Sequence, residues 1–172
     1  MVSVITNIIL FIVVEAPNHH LNKDDSKDLL KNMSVDYIES GNLYNQDPIL
    51  LIVMNYYESS FKSEVIGKNG EVGLPQAMAE SRELCENKGY DLSTTKGGIY
   101  CTAYLMHLAE KQCESIGNSI FNYMAGACSI NPNKSALHVK KYKKARGRYR
   151  YYKFLSRKFK TDSIFYKYSI KG

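Results

Sequence analysis

Residues 47–57 constrain the fold more than any other stretch of this sequence. Asp47-Pro48 places a side-chain acceptor suited to a helix N-cap before a proline suited to the first helical turn. The run Ile49-Leu-Leu-Ile-Val-Met-Asn-Tyr-Tyr57 follows. Wound as a helix from Pro48 to about Ser60, it is apolar around most of its circumference. Such a helix belongs at the buried centre of a domain, with other elements packed around it. The run ends on Glu58, four residues after Met54 and seven after Leu51, and so on the same stripe. Burial and the negative end of the helix dipole both favour the protonated form of a carboxyl placed there. A carboxylic acid that keeps its proton near neutral pH is what a general acid needs.

The rest of the chain reads as helices to cover that centre, giving a mainly α fold. Residues 24–44 offer Leu29, Leu30, Met33, Val35, Tyr37 and Ile38 to a core face. A glycine-bearing loop spans 62–73, and Pro75 opens a short helix from about Gln76 to Asn87. A second loop, rich in Ser, Thr and Gly, covers 89–98. Ile99 to Cys113 has helical spacing, with Glu110 facing water. Asn118 or Ser119 caps a helix carrying Ile120, Phe121, Tyr123, Met124 and Ala127. A basic helix runs from about Lys134 towards Lys160, with Gly147 as a weak point. Short strands are conceivable in 2–14 and 163–170. No internal repeat is visible.

At 172 residues, 44% hydrophobic and 23% charged, the chain suits one globular domain with a proper core. The net charge of +6 conceals an asymmetry. Residues 1–138 carry 10 Lys/Arg against 16 Asp/Glu, a net −6, whereas 139–172 carry 13 against Asp162 alone, a net +12. The expected organisation is an apolar N-terminal segment (1–21: signal, anchor or buried element), a helical domain (22–138), and a basic aromatic extension packed on it (139–172). The segment Val2–Val14 is short for a bilayer span, which needs about 20 residues. It has the length of a signal-peptide core but no preceding cation. Cys85, Cys101, Cys113 and Cys128 form no C-x-x-C pair, and no histidine cluster accompanies them. Zinc is not expected. An even count permits two disulfides, but four half-buried free thiols are the simpler expectation. No phosphate-binding glycine loop is present, and no cofactor or metal is implied.

Three short motifs in order carry a resemblance: Glu58-Ser59-Ser60-Phe61, then Gly70-Glu71-Val72-Gly73-Leu74-Pro75-Gln76, then Tyr123-Met124-Ala125-Gly126. With Asp47-Pro48 and Tyr104-Leu105 in supporting places, residues 25–130 resemble the lytic transglycosylase and goose-type lysozyme superfamily, which cuts bacterial peptidoglycan glycan strands. The resemblance implies a lysozyme-like helical domain with a substrate cleft. It also implies that Glu58 is the catalytic acid, and that the Tyr123 hydroxyl bonds to it. Ser59, Glu71, Gly73, Gln76, Met78 and Ala125 then fall to substrate binding or to shaping the cleft. The pattern departs at Pro75, Met124, Gly67 and Cys101, where the family more often has Met, Asn, Ser and Gly.

In the implied reaction one carboxyl protonates the scissile β-1,4 oxygen and then deprotonates the muramoyl 6-hydroxyl, giving a 1,6-anhydro end. Two alternatives stay open. Glu71 could orient a water for hydrolysis, or the domain could bind glycan or polyanion without catalysis. Expected partners are peptidoglycan strands and, through residues 140–160, an anionic envelope polymer or membrane surface. Specific nucleic-acid binding is not expected, and the chain is expected to be a monomer. Its place of action would be the periplasm or cell wall, reached as a secreted or phage-encoded protein.

Overall fold

The computed structural model describes residues 1–15, 26–131, 133 and 135–159, and among these it contains seven helices and no named strand. They are α1 (Val2–Glu15), α2 (Ser26–Tyr44), α3 (Pro48–Ser59), α4 (Ala79–Glu86), α5 (Thr95–Gln112), α6 (Ile116–Ala125) and α7 (Ala136–Lys158). The fold is mainly α, as the periodicity predicts. The possible strand at 163–170 lies outside the described residues.

Helix α3 is the centre. The Asp47 carboxylate accepts from the Ile49 amide at 2.8 Å, satisfying one of the amides a helix start leaves free. Every residue from Pro48 to Asn55 is buried, and α1, α2, α5 and α7 all pack on this helix. Met33 and Tyr37 of α2 and Ala103 and Met106 of α5 face it within one core. Ile120 and Phe121 of α6 belong to the same core.

The expectation of a strand in 2–14 is corrected: the segment is helical. Its isoleucines at 5, 8, 9 and 12 return every three to four residues and are fully buried against the core. β-branched residues only mildly disfavour a helix, and burial of one face outweighs that. No described helix is long and apolar enough to cross a membrane.

Helix α7 presents one stripe inward, Ala145, Arg148, Tyr152 and Leu155, while most of its cations face water. The Tyr152 hydroxyl donates to Asp47 Oδ2 at 2.8 Å, so α7 grips the residue that starts α3.

The expectation of free thiols is also overturned. Cys85 is bonded to Cys101, joining α4 to α5, and Cys113 to Cys128, joining the end of α5 to the turn after α6. No described cysteine is free. Spacing alone could not decide this, because pairing depends on Cα separations of 5.3 and 5.4 Å that only the packed helices set.

Other boundaries moved for local reasons. α4 starts at Ala79, not Gln76, because Val72 pairs with Ala77 in a short antiparallel bridge and Gln76 has φ +49°. α5 starts earlier than Ile99, with Thr94 as N-cap accepting from Gly97 N at 3.0 Å. Gly97 and Gly98 are helical, and close packing rather than a turn excludes larger residues there. A Cβ on Gly97 would lie 2.0 Å from the Asp91 carbonyl oxygen. α6 is capped by Ser115 instead of Asn118 or Ser119. Glu110 does not face open water. It is half-buried and accepts from Gln46 Nε2 at 2.8 Å. Its carboxyl is pushed above the ordinary range by burial, opposed by the Gln46 bond and reinforced by Asp47.

Candidate active site

Glu58 lies in the last turn of α3. Ser60 closes the helix with φ +54°, its amide donating to Tyr56 O, and Phe61 follows at φ +65°. Two successive non-glycine residues in the left-handed region are costly, each by about 1–3 kcal/mol, and such strain collects at functional sites where packing enforces it. Here Phe61 is buried in the core and enforces the reversal. The chain turns sharply behind Glu58, and the loop 62–78 folds back beside it.

That loop is held by its own side chains. Gln76 Nε2 donates to Val65 O at 3.1 Å and to Gly73 O at 2.9 Å. Gly73 sits at φ +71°, and a Cβ there would come 2.6 Å from the Leu92 carbonyl oxygen, so glycine is required on both counts. Glu71 accepts from the backbone and side-chain nitrogens of Asn69 at 2.9 and 2.8 Å. The Asn69 side-chain bond, and then its amide, hold the Glu71 carboxyl below the usual carboxylate range. A Cβ on Gly67 would meet Glu71 Oε2 at 2.2 Å.

Below Glu58 runs a buried polar chain. Asn55 Nδ2 donates to the Tyr37 hydroxyl at 3.1 Å, and Thr102 Oγ1 donates to Asn55 Oδ1 at 2.5 Å. The Ser59 hydroxyl donates to Asn55 O at 3.2 Å, one turn back. Ser59 is therefore buried and satisfied by backbone. Each member of this chain needs a partner because none can reach water.

Two expectations at the carboxyl itself are corrected. The first is the isolated acid. Arg148 Nη1 donates to Glu58 Oε1 at 2.5 Å, with the two side chains only 6% and 19% exposed. The apolar run around Glu58 gave no sign of a cation, because the cation comes from α7, 90 residues further along the chain. The second is the tyrosine contact. Tyr123 lies close enough to Glu58 and Arg148 to feel both charges, but its hydroxyl donates to Pro75 O at 2.9 Å. Burial, the largest cause, raises the Tyr123 phenol well above its ordinary value. Tyr123 thus ties α6 to the loop beside Glu58.

Met78 is exposed at the start of α4. Ala125 ends α6 and packs at the margin of the core. The residues missed from the sequence are Arg148, Asn55 and Thr102. A signal for Arg148 was present: it follows Ala145 by three and precedes Tyr152 by four, on the one apolar stripe of α7.

No curated protein and no solved structure matches this chain. A family model described as the transglycosylase SLT domain matches residues 37–146. That span runs from the second half of α2 into the middle of α7 and holds Glu58, the 62–78 loop and Tyr123. It covers well over half of the sequence. The chain belongs to the transglycosylase SLT domain family, whose members are enzymes, the peptidoglycan lytic transglycosylases that act on the cell-wall glycan.

Proposed function

We propose that this enzyme cleaves the β-1,4 bond between N-acetylmuramic acid and N-acetylglucosamine with Glu58 as its single acid and base. The observation that carries the reading is the position of Glu58. It is a largely buried carboxyl at the strained end of the central helix, inside the family-matched span, with the loop of Gln76 and Pro75 lashed down beside it.

The proton inventory closes on one group. The Glu58 carboxyl gives its proton to the departing O4 of N-acetylglucosamine as the C1–O4 bond of the muramoyl residue breaks. The carboxylate then takes the proton of the muramoyl 6-hydroxyl as O6 bonds to C1. The product is a 1,6-anhydro end, no water is consumed, and Glu58 is restored in its acid form. A fixed geometry is what makes one group sufficient for both steps. Glu71, whose two oxygens are engaged by Asn69, stays in its loop and is not needed for either step.

Around this centre, Gln76 and Gly73 shape the loop that would border the glycan, and exposed Met78 would lie against a sugar face. Tyr123 holds the loop through Pro75. Exposed cations of α7, among them Lys140, Lys143, Lys144, Arg146, Arg150 and Arg157, make no ion pair among the described residues. They suit contact with an anionic envelope polymer near the substrate. Two disulfides fit a protein working in an oxidising space, as a secreted or phage-encoded cell-wall enzyme.

One observation favours a second reading, a glycan-binding module without catalysis. Glu58 is engaged in an ion pair with Arg148 instead of standing free to meet a substrate oxygen. The deciding experiment digests purified sacculi with wild type and Glu58→Gln, with mass spectrometry of the products. The proposal expects anhydromuropeptides from wild type and at least a ~100-fold loss in the variant, the usual weight of a general acid. Reducing-end products would indicate hydrolysis instead. Sacculus binding without release by wild type would establish the second reading.

A further inference from the structure

We infer that Arg148 is a positioning residue for Glu58, engaging Oε1 so that Oε2 alone carries the proton through both steps. The inference rests on the proposed role of Glu58. Arg148 comes from α7 and lies just past the family-matched span, which ends at residue 146.

The contact is built into the fold. Of the cations on α7, Arg148 is the buried one, and its neighbours on the same stripe, Ala145, Tyr152 and Leu155, are part of the core. Tyr152 anchors the helix to Asp47, and the guanidinium lies over the Tyr57 ring at 5.5 Å. Arg148 therefore cannot swing as a surface cation would. A guanidinium is always charged and has only donors. While Oε1 accepts from the charged Nη1 it is the less basic oxygen, which favours a proton on Oε2, and among the described residues no donor reaches Oε2. Among the described residues Glu58 is the one carboxylate paired with Arg148, and Arg148 Nε is buried without a partner.

The other groups around this carboxyl are neutral. Tyr57 comes from α3 and Tyr123 from α6, while α2 and α5 send the hydroxyls of Tyr37 and Thr102 to Asn55 below it. Glu15, ending α1, acts on Tyr151, whose ring meets that of Tyr57 at 5.9 Å. Arg148 is thus the charge in direct contact with Glu58. Its consequence is differential: it stabilises the carboxylate that exists between bond breaking and ring closure, and it makes the first proton transfer easier.

The test is a kcat and KM profile against pH on purified glycan strands for wild type, Arg148→Lys, Arg148→Gln and Glu58→Gln, paired with carbon-13 NMR titration of the Glu58 carboxyl. For Arg148→Gln, plateau kcat should fall about tenfold or more with KM within about twofold, the mark of an interaction made in the transition state. The alkaline limb and the NMR titration should both change when the cation is removed. Arg148→Lys, which keeps the charge but loses the planar fork, should lie between. Unmoved limbs and titration, with kcat falling only as the folded fraction falls, would overturn the inference. If Arg148→Gln does not fold, Arg148→Lys decides, and unchanged kcat and titration there would overturn it. An inactive Glu58→Gln beside an unmoved Arg148 profile removes this inference and leaves the proposed function standing. An active Glu58→Gln removes the function itself.

Discussion

Breaking the two disulfides is the perturbation whose size can be worked out most directly. Cys85–Cys101 and Cys113–Cys128 close loops with sequence separations of 16 and 15. In the chain-entropy treatment each loop of that length contributes about 3 kcal/mol by restricting the unfolded chain, so together about 6 kcal/mol. Domains of this kind have only about 5–15 kcal/mol in total. One bridge is anchored within α5 and the other just past its end, so their loss frees α4 and the turn after α6 from the helix that packs on α3. For a chain of this size, each kcal/mol moves the melting temperature by about 2–4 °C, so full reduction should lower it by about 12–24 °C. The assay is a circular-dichroism melt with and without a strong reductant, with free thiols counted under denaturing conditions beforehand. Four thiols in the untreated, air-exposed protein, or melts that coincide after verified reduction, would refute the reasoning. Paired Cys-to-Ser variants, one pair at a time, should each give about half the shift.

Two further outcomes are expected. Gly147 lies inside α7 with nothing within 4 Å of where a Cβ would stand, so Gly147→Ala should raise stability by about 1 kcal/mol in a denaturant titration without changing activity. Glu110 carries a carboxyl raised by burial, so its ionisation is easier in the unfolded chain. Stability tied to this group is fully present below the unfolded value, taken as 4.5, and is lost as pH rises through the higher folded value. Glu110→Gln keeps an acceptor for Gln46 and should therefore stabilise the protein at neutral pH, with the gain vanishing below about pH 4. A gain that persisted unchanged into acid would contradict this assignment.

The helical fold was legible because its signals are local. An N-cap with proline and an unbroken apolar run require a buried central helix wherever they occur, and Glu58 closes that run by its place in the sequence. The three short motifs around it pointed to the same family that the comparison shows. Boundaries failed where close packing overrode local habit. Gly97 and Gly98 read as loop and are helix, because α5 passes too close to Asp91 and Leu74 for any side chain.

What the sequence could not supply was anything that depends on distance between remote residues. Four cysteines at wide spacings look alike as thiols or bridges until the helices bring their Cα atoms within 5.3 and 5.4 Å. The hydroxyl of Tyr123 finds Pro75 because the 62–78 loop folds back over α6. Above all, the sequence determined that a carboxyl ends the central helix, whereas only the tertiary structure decided that Arg148, 90 residues away, would stand against it. Periodicity records which face of a helix is buried; it carries no record of which other face it meets, and the charge state of a buried acid is set by that meeting.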